Sequence, residues 1–241
     1  MSQTQHKERK EKVCIKTRKV FDWVTRQVDV PLRSFSNDDL EDIFPDNKCP
    51  RHGKTVCEFF ASNGFDAEEF SIRCFLTDDD GKRIEPVVDN DAFICQEIIQ
   101  PNGRQPVNVT LPSGETVTLQ KVKALVKGHV VVQVVNANGH IVCESKPIPF
   151  ATAQTFILCA PEGTMLDCHI SFFECDASLV CTDNFSQLDV SITLCLEVQM
   201  EADVKIEVEA RFCKPREEIL EATLCPTDKF PPQCPEVFPV H

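Results

Sequence analysis

Fourteen cysteines are the residues in this 241-residue chain most able to do chemistry, and their spacing narrows what that chemistry is. A thiolate can ligate a metal, attack an electrophile or be oxidised to a disulfide. Zinc sites use paired ligands such as Cys-x2-Cys, because two ligands on one tight turn preorganise half of a tetrahedron. No two cysteines here are separated by two residues. The tightest run is Cys168, Cys175 and Cys181, with gaps of seven and six. Cys49, His52 and Cys57 come nearest to a ligand cluster and lack an obvious fourth member. No metal and no cofactor is expected.

Nucleophilic catalysis has as little support. There is no Gly-x-Ser-x-Gly elbow, and six scattered histidines offer no recognisable partner order for a serine or cysteine. Cys168 and His169 are neighbours, but neighbours on a strand point to opposite faces, which argues against a thiolate–imidazolium pair. His169 reads as an ordinary surface or core residue. Asp78-Asp79-Asp80-Gly81 lacks the alternate ligands, sixth-position glycine and twelfth-position glutamate of an EF-hand loop, and reads as a solvated hairpin turn. Asn108-Val109-Thr110 matches a glycosylation sequon, which means little without secretion. No catalytic residue is assigned, and the chain is read as a non-enzyme.

The elements that must position the cysteines are strands. From Leu188 to Phe212 every even position is apolar, and the odd positions are mostly polar or charged. Helical periodicity cannot produce this pattern, whereas a sheet with one buried face requires it. Twenty-five residues exceed an ordinary strand, so two strands with a bend or turn near Met200–Asp203 are expected. Val107–Leu111 and Glu115–Leu119 flank Pro112-Ser113-Gly114 as one hairpin, and His129–Val135 and His140–Glu144 flank Asn136–Gly139 as another. Phe70–Leu76 and Arg83–Val88 read as strands, and Ser36–Glu41 can cap a short helix. The fold class is therefore mainly β, an antiparallel β-sandwich or barrel-like arrangement with extended terminal arms.

Four regions follow from composition. Residues 1–12 read as a charged, mobile tail, 13–100 as an N-terminal mixed or β segment, 101–224 as a β-sandwich domain and 225–241 as a Pro-rich C-terminal arm. Gln100–Pro106 reads as the turn or linker between the middle two. Asp80–Ile84 followed by Phe93–Cys95 echoes Asn138–Val142 followed by Phe156–Cys159, which leaves duplication and coincidence both open.

Cys195 and Cys213 fall on the odd, polar positions of the long alternating run. They are candidates for cross-links between copies, together with Cys14, Cys225 and Cys234. An extended polyproline arm would hold Cys225 and Cys234 too far apart to bridge each other. Cys74, Cys95 and Cys159 read instead as small buried hydrophobes.

Charge and hydropathy exclude some partners. The net charge of −13 opposes nucleic acid and anionic membranes. No apolar stretch is long enough to span a bilayer as a helix, so no membrane span is expected. Lys7–Lys12 is followed by no apolar region, so a secretory leader is not expected, and synthesis in a cytosol is. Cytosolic thiols are normally reduced. Fourteen cysteines then mean bound metal, a pool of free thiols, or oxidation after the cell of origin dies.

Three segments carry a resemblance: Val13–Val24, Cys159-Ala160-Pro161-Glu162-Gly163-Thr164 with Cys168 and Cys175, and Phe212–Ile219. They resemble cysteine-rich proteins of the outer layers of bacterial endospores, the coat and exosporium, over most of the chain from Val13 onward. The resemblance implies synthesis in the mother-cell cytoplasm, deposition on the spore surface and oxidation as that cell lyses. Its partners would be other copies of itself and other coat or exosporium proteins. The chain has no tyrosine, so any covalent locking must use cysteine or lysine. A self-assembling structural subunit is the leading expectation. An adaptor that docks other coat proteins, and a thiol-rich metal or redox buffer, are the alternatives.

Overall fold

A computed structural model describes residues 11–62, 70–85, 93–182 and 185–210. Among the described residues, nine strands and two short helices follow in the order β1 (Glu11–Ser36), α1 (Asp38–Ile43), α2 (Val56–Ser62), β2 (Phe70–Thr77), β3 (Ile94–Glu97), β4 (Gln105–Thr110), β5 (Thr116–Asn136), β6 (Ile141–Glu144), β7 (Ile148–Leu158), β8 (Met165–Thr182) and β9 (Phe185–Ala210). Residues Lys16–Lys205 form one compact unit, which holds both sheets. A second, smaller unit comprises Met1–Ile15 and Ile206–His241; its described residues are strand ends, with Lys12 paired to Glu207 at 3.1 Å.

The larger unit is an antiparallel β-sandwich. A three-stranded sheet has the order β1-β9-β8, and a six-stranded sheet is organised around β5, which pairs with β2, β3, β4, β6 and β7. The alternation read from the sequence is the physical basis of β9: Leu188, Val190, Ile192, Leu194, Leu196, Val198 and Met200 are all buried. The other wall of the core comes from Val122, Ala124, Val126, Val130, Val132 and Val134 of β5, with Phe150, Phe156 and Leu158 of β7.

Several expectations are corrected. β9 does not turn at Met200–Asp203 but runs unbroken for 26 residues. That stretch has no glycine or proline to reverse the chain, and β1 beside it is also 26 residues long. The two hairpins centred on Ser113 and Asn138 exist, but their inner arms are one strand, β5, 21 residues long. Gly128, which weakens a strand reading, is needed there: a Cβ at this position would lie 2.8 Å from the Phe150 ring. Glu11 and Lys12 belong to β1 rather than to a tail. Arg83 makes only an isolated bridge to Thr77, and Arg83–Val88 runs beyond residue 85 out of the described residues. The helix after Ser36 begins at Asp38 without a side-chain cap; Asn37 instead accepts the Ser186 N–H with its side-chain oxygen, at 3.4 Å.

The two glycine-bearing blocks of the echo share one local turn. Asp78 accepts the N–H groups of Asp80 and Lys82, and Asn136 accepts those of Asn138 and His140. Each turn then closes on a glycine with positive φ, Gly81 at 86° and Gly139 at 81°. One turn chemistry appears twice, and the acidic triplet Asp78–Asp80 is used by the first of these turns.

Candidate functional site

The cysteines divide into those that close the sandwich and those that face out of it. Four bridges form among the described residues: Cys49–Cys143, Cys57–Cys181, Cys74–Cys175 and Cys95–Cys168, with Cα separations of 4.3, 5.5, 5.3 and 6.1 Å. These separations lie at or within the span a disulfide can bridge.

Three of the bridges radiate from β8. Cys168 meets β3, Cys175 meets β2 and Cys181 meets α2, so one strand of the three-stranded sheet is stapled to three successive elements across the sandwich. The gap of six between Cys175 and Cys181 keeps them on one face. The gap of seven between Cys168 and Cys175 would put them on opposite faces. A bulge removes that conflict: the pairing with β9 slips between Ile170 and Phe172, leaving Ser171 as the extra residue. Before the slip Leu166, Cys168 and Ile170 face inward; after it Phe173, Cys175, Ala177 and Leu179 do. Cys49–Cys143 is the fully buried bridge and ties the segment between the helices to β6.

This overturns the reading of Cys74 and Cys95 as unpaired buried hydrophobes. Both are half-buried and bonded to β8, because the inner face of β8 presents cysteines opposite them. Cys159 is corrected in the other direction: it is free and exposed. Cys49 and Cys57, two members of the sequence's nearest approach to a ligand cluster, are each bonded elsewhere.

Three described cysteines keep free thiols: Cys14, Cys159 and Cys195. Cys14 is exposed on β1, within the smaller unit. Cys195 is half-buried at an odd position of β9, on the face turned away from the core, as the alternation requires. Its neighbour on β8 is Phe172, the residue just after the bulge, and the bulged Ser171 donates its hydroxyl to the Cys195 carbonyl at 3.4 Å. Cys213, Cys225, Cys234 and the proline-rich arm lie outside the described residues.

Cys159 follows β7 on a tightly held turn. Its N–H donates to the Asp22 carboxylate at 2.8 Å, and the next N–H, of Ala160, donates to the Gln120 side chain at 2.7 Å. Arg104 clamps the rest: it donates to the Ala160 carbonyl, to the Thr164 hydroxyl and carbonyl, and through two nitrogens to Glu97. Hydrogen bonding to Glu97 outweighs burial and holds the Arg104 guanidinium above its ordinary pKa. The turn thus fixes the Cys159 backbone while the side chain stays in solvent.

Cys168 and His169 do point apart. Cys168 is bonded inward to Cys95, and His169 faces Glu197 at 3.3 Å on the outer surface. A cleft of about 350 Å³ beside them is lined by Phe93, Ile94, Cys95, Gln96, Asp167, Cys168 and His169. Both of its cysteines are disulfide-bonded, so it presents no thiolate nucleophile.

The exposure of Cys159 has no local sequence signal, because the Asp22, Gln120 and Arg104 contacts that hold its turn come from distant parts of the chain. The signal for the β8 row was present: apolar residues occupy even positions to Ile170 and odd ones from Phe173. Compared with known protein families, curated protein sequences and solved structures, the chain matches none.

Proposed function

We propose that this chain is a self-assembling structural subunit of a bacterial spore surface layer or appendage, stabilised by cysteine cross-links between copies. The observation that carries this reading is the sorting of the thiols. Eight cysteines close one unit on itself, while Cys14, Cys159 and Cys195 keep free thiols on strands or a clamped turn, two of them exposed and one half-exposed. A body with four bridges is suited to an oxidising environment, where the remaining thiols are consumed as well. Joining two copies oxidises one thiol on each to a disulfide, releasing two protons and two electrons to dioxygen or to a small disulfide oxidant.

On this reading the chain is made in the mother-cell cytoplasm, deposited on the spore and locked as that cell lyses. Its partners are other copies of itself and other coat or exosporium proteins. Its role is mechanical rather than catalytic. The resemblance of Val13–Val24 and Cys159–Thr164 to outer-layer spore proteins supports the location, and the lack of tyrosine leaves cysteine or lysine as the cross-linker.

The test is purified protein examined by electron microscopy and on non-reducing denaturing gels. Regular filaments, rings or sheets, with covalent multimers that collapse to monomer under strong reductant, are expected. Monomer in both lanes after full oxidation, with no ordered assembly, would overturn the proposal.

A further inference from the structure

The two outer surfaces of the sandwich carry opposite charge in matching patterns. On the six-stranded sheet, Val122, Ala124 and Val126 of β5 face the core, so the alternate residues face out: Lys121, Lys123 and Lys127 are exposed, and Leu125 between them is half-buried. Beside this row lie small residues of β7, with Ala151 opposite Lys127, Ala153 opposite Leu125 and Thr155 opposite Lys123. On its other side Ile94 and Gln96 of β3 pair with Lys127 and Leu125. The one carboxylate of β3, Glu97, pairs with Ala124 and faces inward to Arg104. None of the three lysines forms an ion pair among the described residues.

Two of the three strands of the other sheet, β8 and β9, are the counterpart; the third, β1, carries lysines and arginines of its own. Neither β8 nor the stretch of β9 from Phe185 to Met200 contains a lysine or arginine. Their outward positions carry Asp167, Glu174 and Asp176 on β8, and Asp189 and Glu197 on β9. At the centre of this acidic field lies an apolar pair, Phe172 opposite Cys195, with Phe172 49% exposed. One surface is thus an apolar centre flanked by lysines, and the other an apolar centre flanked by carboxylates. Residues two apart on a strand project about 7 Å apart on one face, so Lys121 with Lys123 and Glu174 with Asp176 share one spacing.

We propose that copies stack through these surfaces, the lysine-bearing face of the six-stranded sheet of one copy on the carboxylate-bearing face of the three-stranded sheet of the next. This rests on the self-assembly reading and names the surfaces that serve it. The occupant of each face is a second copy because each copy carries both halves of the match. A net charge of −13 otherwise keeps copies apart. Among the described residues of β3, β5 and β7, no outward carboxylate lies beside the lysine row, and at physiological ionic strength charges beyond about 8 Å are screened while those in contact are not. Two different surfaces meeting make a head-to-tail contact, which repeats into an open filament or closes into a ring. Cys195 lies inside this contact, opposite Phe172.

The test uses the full-length oxidised protein and two charge-reversed variants, with fold checked by circular dichroism. One carries Lys121→Glu, Lys123→Glu and Lys127→Glu; the other carries Asp167→Lys, Glu174→Lys and Asp176→Lys. Association is read by sedimentation velocity. Each variant alone is expected to associate at least ~10-fold more weakly than the wild type, because it faces like charge with like. An equimolar mixture of the two is expected to recover association, since opposite faces then meet again. If both variants associate like the wild type, the stacking is wrong and the self-assembly reading stands. If each is weakened but the mixture does not recover, these two faces do not meet each other. If the wild type itself stays monomeric, the self-assembly reading fails and the stacking falls with it.

Discussion

Replacing both Cys74 and Cys175 by alanine removes the middle of the three bridges that β8 makes across the sandwich. Considered alone, this bridge closes a loop with a sequence separation of 101, for which the chain-entropy relation gives about 4.7 kcal/mol. The neighbouring bridges reduce that figure. With Cys57–Cys181 in place, the loop that Cys74–Cys175 adds runs only 17 residues from Cys57 to Cys74 and six from Cys175 to Cys181. A closed loop of that size corresponds to about 3.4 kcal/mol. The double variant should therefore unfold in guanidinium with a stability lower by ~3–4 kcal/mol, while its far-ultraviolet circular dichroism stays that of a β protein. A loss near 5 kcal/mol would mean that the outer bridge does not form first. A loss under ~1 kcal/mol with the fold intact would refute the stapling, because a pair that constrains nothing in the unfolded chain is not bonded.

Three further outcomes are expected. Cys195→Ser should change stability by no more than ~0.5 kcal/mol, since its side chain faces away from the core, and should weaken the covalent multimer on non-reducing gels; a large stability loss would place that residue inside. Gly128→Ala should cost about 1–3 kcal/mol in denaturant unfolding, because the added Cβ would lie 2.8 Å from the Phe150 ring, which packs in the core; a neutral substitution would show that the ring moves freely. Burial pushes the Glu144 carboxyl up, but hydrogen bonds from Lys48 and Gln133 with the Lys48 charge outweigh it and leave its pKa below the ordinary 4.5. Its contribution is then fully present above that value and is lost as pH falls through the lowered one, so Glu144→Gln should flatten the acid limb of a stability–pH curve; an unchanged acid limb would remove Glu144 from the account.

The parts legible in the sequence are those where a single period governs. β9 could be read residue by residue because its even positions face one core from Leu188 to Met200. The turns at Pro112–Gly114 and Asn136–Gly139 could be read because asparagine and glycine supply the backbone geometry themselves. Strand length was not legible, because it depends on neighbours: β5 runs through Gly128 since Phe150 on β7 needs the space, and β9 runs through Met200 since the sheet continues beside it. The shared face of Cys168, Cys175 and Cys181 was written in the switch of apolar positions from even to odd across a one-residue bulge, but their pairing with three separate elements was not, because it depends on packing between distant segments. The outward placement of Cys195 needed only alternation. That of Cys159 depends on Arg104, Asp22 and Gln120 holding the turn after β7, contacts between residues far apart in sequence.

The most direct test is to assemble an equal mixture of ordinary and nitrogen-15-labelled protein under oxidising conditions, digest it without reduction and weigh the disulfide-linked peptides. Peptides joined by Cys49–Cys143, Cys57–Cys181, Cys74–Cys175 and Cys95–Cys168 should be wholly light or wholly heavy, since each forms within one copy. Linked peptides containing Cys195 should include light–heavy hybrids, since that bond joins two copies. Hybrid peptides at the four internal pairs, or an absence of hybrids at every cysteine, would contradict the account.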